Sequence, residues 1–217
     1  PALLQKSVAR AARELGDPAW PEDVWQRERQ RLSAAIKEAR TRPGTIAGLA
    51  FSHAVYGSHP YGHETTPESL AAIGVADMRA RYADFIRPCR AKVSLVGAVT
   101  RAQADALVTQ LLARLPQGAD CAALPAVPEV APLAAAKDER IAFESAQAHV
   151  LIGQPGYKRS DPDFFALLVG NHILGGGGFT SRLMTQVREK RGLSYSVYSY
   201  FAPGLHAGAF TAGLQTR

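Results

Sequence analysis

The sequence predicts an α+β protein made of two α/β-sandwich units, each an antiparallel-rich sheet covered by helices. Three observations support this fold class. Amphipathic helical patterns dominate residues 1–115, and strand and helix patterns alternate over 138–217. Between them, 116–137 carries four prolines and few charges. That composition is typical of an extended, semi-rigid linker.

In the first unit, apolar residues recur with the helical period and the helix ends carry the expected signals. We predict helices over 2–16, 21–43, 44–57, 75–88 and 101–115, with a strand over 91–100. A further helix is expected to begin at Pro67, with Thr66 as its cap. Gly16 stands where the first helix should stop, and Pro21 stands in the first turn of the second. Thr100 and Gln103 form a capping box for the last helix.

In the second unit the pattern predicts two neighbouring strands, two helices separated by four glycines, and a final hairpin. The first helix is expected to be buried and capped by Ser160, and Gly192 is expected in a left-handed conformation after the second. The ranges are strands over 139–145 and 147–156, helices over 160–174 and 180–191, and hairpin strands over 193–203 and 206–215.

Composition limits the class of protein. The chain has 217 residues, 47% of them hydrophobic and 20% charged, which suits a globular protein with a core. No run approaches the ~20 apolar residues of a membrane span. The chain begins with proline, shows no signal peptide and stops within a strand pattern, so we expect a fragment.

The net charge of +6 arises mostly in the first half, where basic and acidic residues are interleaved. A nucleic-acid-binding protein should show a clustered basic face with aromatic residues, and only the short run "RERQR" qualifies. We therefore expect no nucleic-acid partner. Cys89 and Cys121 have no metal-type spacing, and a disulfide and two free thiols both remain open.

The glycine run does not fit a phosphate site. A phosphate-binding loop needs a Lys-Ser/Thr pair after the last glycine, and Phe179-Thr180 stands there instead. A dinucleotide fingerprint follows a strand, whereas a helix precedes this run. On pattern alone, a mobile connector is the remaining interpretation.

Two other motifs contain residue types that are common in active sites. In "HPYGHE", His59, His63 and Glu64 suggest a metal, but Pro60 and Gly62 break the helix such a pair needs, so we predict a tight turn.

In "VREKRGLSY", Arg188 and Tyr195 can converge across the turn at Gly192. Guanidinium and phenol groups are donors suited to a carbonyl oxygen and to the oxyanion it becomes. Alternatively, Arg188 only complements a helix C-terminus and Tyr195 packs in a sheet.

The stretch "LGGGGFTSRLMTQVREKRGLSYSVYSYF" closely resembles the second-domain segment of the insulinase/pitrilysin-type zinc peptidases, the inverzincin group that includes mitochondrial processing peptidase. Three further stretches agree in the family's order, so the resemblance covers essentially the whole chain. They are "RERQRLSAAIKEARTRP", "VYGSHPYGHETTPESLAAIGVADMRARYADFIRP" and "AKVSLVGAVT".

The resemblance implies two homologous domains that face each other across a peptide chamber. Residues 1–115 would be the second half of the N-terminal family domain, and 138–217 the first half of the C-terminal one. One family domain holds zinc through H-x-x-E-H and a distant Glu. The other supplies an Arg and a Tyr seven positions apart, here Arg188 and Tyr195, as catalytic groups. The implied substrate-binding residues are Gly176, Gly177, Gly178 and Phe179.

This sequence departs from the family pattern at the metal. It contains no H-x-x-E-H, and the position of the third zinc ligand aligns with Ala35. Only a shifted register would place a carboxylate, that of Glu38, there. We therefore expect no metal site and no cofactor in this chain, with zinc in the assembled enzyme or on a partner.

The resemblance thus implies the non-zinc partner subunit of a two-subunit peptidase, acting on peptides with a homologous H-x-x-E-H subunit. Two alternatives stay open. One is a fragment of a self-sufficient zinc metalloendopeptidase whose H-x-x-E-H half is missing, and the other is a catalytically silent structural homologue. The compartment is left open, and a periplasmic or secreted location is compatible with the resemblance.

Overall fold

The computed structural model describes residues 2–116, 118 and 121–217; Gln117, Ala119 and Asp120 of the predicted linker lie outside the described residues. Seven α-helices and three strands occur in this part of the chain. The helices are α1 (Ala2–Gly16), α2 (Glu22–Ala39), α3 (Pro43–Tyr56), α4 (Pro67–Ala71), α5 (Val75–Phe85), α6 (Arg101–Leu112) and α7 (Phe164–Asn171). The strands are β1 (Ala148–Pro155), β2 (Val197–Phe201) and β3 (Ala209–Thr216).

The chain forms two compact units that are discontinuous in sequence. The helical unit comprises Pro1–Ser33 and Pro67–Pro125, and the sheet unit comprises Ala34–Thr66 and Ala126–Arg217. Helix α3 therefore clusters with the C-terminal sheet. The assignment of residues 1–115 and 138–217 to halves of two family domains stays a prediction.

In the helical unit, α1 packs against α6 and buries Ala12. The predicted capping box forms, since the Gln103 N–H donates to Thr100 Oγ1 at 3.3 Å and the Thr100 N–H donates to Gln103 Oε1 at 2.9 Å. Cys89 and Cys121 are joined by a disulfide with their Cα atoms 5.9 Å apart, which decides between the two alternatives left open by the sequence.

The sheet of the other unit is antiparallel, with strand order β1-β3-β2. The predicted hairpin is confirmed, because β2 pairs with β3 with Ser199 opposite Ala212. Helix α3 packs against β1, and Gly153 of β1 lies close to the Phe51 ring. The coarse fold class, helices with a small antiparallel sheet, is thus confirmed, whereas the two-sandwich arrangement and the linker stay predictions.

Two predicted strands are wrong. Residues 91–100 and 139–145 form no strand. Both segments carry apolar residues of the kind found in strands, yet Val96 is fully exposed and Ile141 is about half exposed. A strand needs a neighbour that pairs its N–H and C=O groups, and no part of the described chain supplies one.

The helix predicted over 160–174 differs in its start and its burial. Asp161 accepts a hydrogen bond from the Asp163 N–H at 2.9 Å, and this turn delays the helix to Phe164, so Ser160 is not its cap. Phe165 is 75% exposed, because no layer of the described chain covers the outer face of α7. None of the described helices combines the length and the apolar character that crossing a bilayer requires.

Candidate functional site

The glycine run forms a structured turn against β2. After α7 the chain makes a π-helical turn over His172–Gly176, in which the Gly177 N–H donates to the His172 carbonyl at 2.8 Å. Gly175 is buried, and a Cβ there would lie 2.5 Å from the backbone nitrogen of Ser199. The close approach to β2 therefore requires glycine at this position.

Asn171 fastens this turn to the edge of the sheet. Its Nδ2 donates to the Ser199 carbonyl at 3.2 Å, and the Ser199 hydroxyl donates to Asn171 Oδ1 at 2.7 Å. The Ala202 N–H donates to the Ala209 carbonyl, so these two residues form a hydrogen-bonded pair between β2 and β3. Hydrogen-bonded and non-hydrogen-bonded pairs alternate along an antiparallel ladder, so Ser199, opposite Ala212, directs its N–H and C=O away from β3. The amide thus covers an otherwise open strand edge. Sequence reasoning missed Asn171, whose neighbourhood matches no motif.

A second π-helical turn, over Met184–Glu189, carries Arg188. Gly192 follows in the predicted left-handed conformation, with φ +61°, and the Leu193 N–H closes the helix end on the Val187 carbonyl at 3.1 Å. This reversal brings the chain back, so that Tyr195, just before β2, meets Arg188.

Arg188 lies between two aromatic rings. Its guanidinium carbon is 5.1 Å from the centre of the Phe179 ring and 5.1 Å from that of Tyr195. Phe179 is 67% and Tyr195 82% exposed, so Tyr195 is not packed in the sheet. Within the described residues, the Arg188 side chain makes no hydrogen bond or ion pair. The helix end is instead served by Arg191, whose Nη1 donates to the Gln186 carbonyl at 2.9 Å.

A cleft of about 580 Å³ runs from Phe179 along β2, and we call it the glycine cleft. Gly176 and Gly178 line it, and Gly177 lies between them. Tyr157 also lines it with a buried hydroxyl that finds no partner among the described residues. Burial, and secondarily the Asp161 carboxylate, raises the pKa of Tyr157, so this phenol remains a neutral donor.

The "HPYGHE" segment is a structural turn, as predicted. Pro60–Gly62 form a 3₁₀ turn, and the buried His59 uses both ring nitrogens. Its Nε2–H donates to the Pro128 carbonyl at 2.8 Å, and its Nδ1 accepts the Tyr61 N–H at 3.1 Å. Glu64 is paired with Arg40.

A zinc site does not fit the residues present. The described parts of the chain contain no group of three or more His, Cys, Asp or Glu residues that could hold a metal. Ala35 offers no ligand atom, and Glu38 is exposed and pairs with Arg42 at 3.4 Å.

The helices with a small antiparallel sheet and the glycine run are typical of a domain of a peptidase-type fold, and the described residues form no cluster of metal ligands. The chain belongs to the peptidase M16 family, because residues 72–217 match the family described as "Peptidase M16 inactive domain". The resemblance to insulinase/pitrilysin-type peptidases inferred from the sequence is thereby confirmed, and pitrilysin itself has a similar fold.

Three relatives illustrate the match. An uncharacterized zinc protease of Streptomyces coelicolor is 33% identical over 84% of this chain and 41% of its own. A "non-peptidase homolog" of Helicobacter pylori is 27% identical over 98% of this chain and 49% of its own. The crystal structure of a peptidase M16 inactive domain from Pseudomonas fluorescens is 38% identical, with a TM-score of 0.88 over 95% of this chain and 50% of that one. The chain spans about half the length of these relatives.

Proposed function

We propose that this chain binds peptide and stabilises the oxyanion in a two-subunit zinc peptidase, as the subunit that supplies Arg188 and Tyr195. The metal belongs, in this proposal, to a homologous partner that carries H-x-x-E-H. The observation that supports it most is the guanidinium held between Phe179 and Tyr195, with its donors unused in the described chain.

The stacking leaves the chemistry of Arg188 intact. Ring faces attract a cation without taking up its N–H groups, so the planar fork is oriented while five donors stay available. When water adds to a peptide carbonyl, negative charge develops on its oxygen, and preorganised donors bind that oxyanion more strongly than the carbonyl. The Tyr195 hydroxyl, on an 82% exposed ring, is the second donor.

The glycine run contributes a wall without side chains. Gly176 and Gly178 line the glycine cleft, so a peptide backbone can approach that wall closely, with Gly177 between them and Phe179 at its end. These four residues are the proposed substrate-binding residues.

The test is Tyr195→Phe and Arg188→Ala in the full-length parent protein, assembled with its zinc-bearing homologue. Losing one oxyanion donor should lower kcat by ~10²-fold while KM changes little, because the interaction strengthens in the transition state. Arg182→Ala is the control, since Arg182 is an exposed arginine just upstream of the same turn. A Tyr195→Phe complex that turns over at the wild-type rate would contradict the proposal.

A catalytically silent homologue is the second candidate, favoured by the name of the Helicobacter pylori relative, "Non-peptidase homolog". Zinc-loaded assemblies that never cleave peptides would support it. A self-sufficient peptidase predicts instead about one zinc per chain in the full-length parent purified alone, measured by elemental mass spectrometry.

A further inference from the structure

A second cleft, of about 450 Å³, lies between α3 and the sheet within the same compact unit, and we call it the α3 cleft. Tyr198 and Tyr200 of β2 form one wall, with their rings stacked 6.0 Å apart. Phe51 of α3 contributes to the opposite wall. Gly44 and Gly48 stand on α3 where side chains would otherwise narrow the opening.

The lining of the α3 cleft contains no Asp, Glu, Lys or Arg of the described chain, and His149 contributes an imidazole to it. Rings and small apolar groups predominate in the rest of the lining, so an ion entering the cleft would lose much of its hydration. An aromatic or large aliphatic side chain would bury apolar surface instead, at ~25 cal/mol per Å².

Thr211 contributes a hydroxyl to this lining. It pairs across the sheet with Tyr200, and the residue is only 3% exposed. Its hydroxyl makes no hydrogen bond to any described residue. The hydroxyl is therefore available to a polar atom of whatever occupies the cleft, such as a peptide amide.

The α3 cleft lies within reach of the Arg188–Tyr195 pair. Ser196, the neighbour of Tyr195, lines both the α3 cleft and the glycine cleft. Tyr198 and Tyr200 also line both clefts, so the two clefts share lining residues along β2.

We propose that the α3 cleft is a specificity subsite for a bulky, uncharged side chain of the peptide whose carbonyl Arg188 and Tyr195 hold. This inference rests on the proposed function. It assigns the preference to the walls formed by Phe51, Tyr198 and Tyr200, and the polar contact to Thr211.

The test fills the cleft without disturbing the fold. A Cβ at Gly48 meets nothing within 4 Å, so Gly48→Leu extends into open space and replaces glycine in a helix by a better helix former. Gly170→Leu is the matched control. Its Cβ also meets nothing within 4 Å, it stands on α7, and it lines neither cleft.

The assay uses the full-length parent protein with its zinc-bearing homologue and peptides that carry Phe, Leu or Asp at each of three positions on either side of the scissile bond. At one position we expect wild-type kcat/KM to favour Phe or Leu over Asp by ~10-fold or more. Gly48→Leu should abolish that preference by slowing only the Phe and Leu peptides, and Gly170→Leu should keep it. An unchanged preference in Gly48→Leu would overturn the subsite.

A binding measurement separates this inference from the proposed function. Fluorescence anisotropy with a labelled Phe-containing peptide and the full-length parent alone should show weaker binding for Gly48→Leu than for Gly170→Leu. If that loss is seen while Tyr195→Phe turns over normally, the subsite stands and the catalytic role fails. If Tyr195→Phe is slow while Gly48→Leu binds and discriminates as wild type, only the subsite fails.

Discussion

His59 and Arg188 both stand in motifs that the sequence marks as candidate sites, and both lie in the same compact unit. The buried His59 ring spends both nitrogens on backbone groups, those of Pro128 and Tyr61. Arg188 is held by the rings of Phe179 and Tyr195 and spends no N–H group within the described chain.

The difference separates a structural role from a functional one. A buried polar atom that already has its partner stabilises the fold and has nothing left for a ligand. Donors fixed in orientation but left unpaired contribute little to stability and remain available to a substrate. A substitution at His59 should therefore change the stability of the protein, whereas a substitution at Arg188 should change turnover.

The largest expected effect on stability is at His59. His59→Ala removes a buried ring and leaves the Pro128 carbonyl and the Tyr61 N–H without partners, so it should lower the free energy of unfolding by about 2–3 kcal/mol. Arg188→Ala should change it by at most about 1 kcal/mol, since only contacts with exposed rings are lost.

Urea unfolding of the protein, followed by circular dichroism, measures both variants. Equal destabilisation by the two substitutions would contradict the assignment of different roles to His59 and Arg188, because Arg188 would then be a structural residue as well. Thermal shifts of the same proteins provide a second readout.

A smaller effect is expected at Phe179. Phe179→Leu keeps an apolar side chain but removes one ring face from Arg188, a contact worth about 0.5–1 kcal/mol at an exposed site. Turnover of the assembled enzyme should fall about 2- to 5-fold, with stability unchanged. A loss as large as that of Tyr195→Phe would instead show that Phe179 contacts the substrate at the reacting centre.

The smallest effect concerns Glu129 and the dependence of stability on pH. The Lys158 ammonium, which donates to Glu129 at 3.1 Å, lowers the pKa of that carboxyl, and His206 adds to the effect. The stabilisation of the folded protein by the Glu129 carboxylate is complete above pH 4.5, the ordinary pKa of the group. It is lost as the pH falls through the lowered pKa. Unfolding curves between pH 3 and 7 should therefore depend on pH less in Glu129→Gln than in the wild type. Parallel curves for the two proteins would exclude this linkage.

Much of the local structure follows from the sequence, because its signals act over a few residues. The Thr100–Gln103 box, the left-handed Gly192 and the turn around His59 form as predicted. The strands over 91–100 and 139–145 do not, because a strand depends on a distant neighbour that no local pattern specifies.

The sequence by itself determined the family, the presence of most helices, and the two residues, Arg188 and Tyr195, on which the proposed function depends. Only the tertiary structure decided that Phe179 lies against Arg188, that Asn171 covers the edge of β2 and that Cys89 bonds to Cys121. These contacts join residues distant along the chain or in different elements. Their geometry depends on how helices and strands pack, and the spacing of residues in a sequence does not specify that packing.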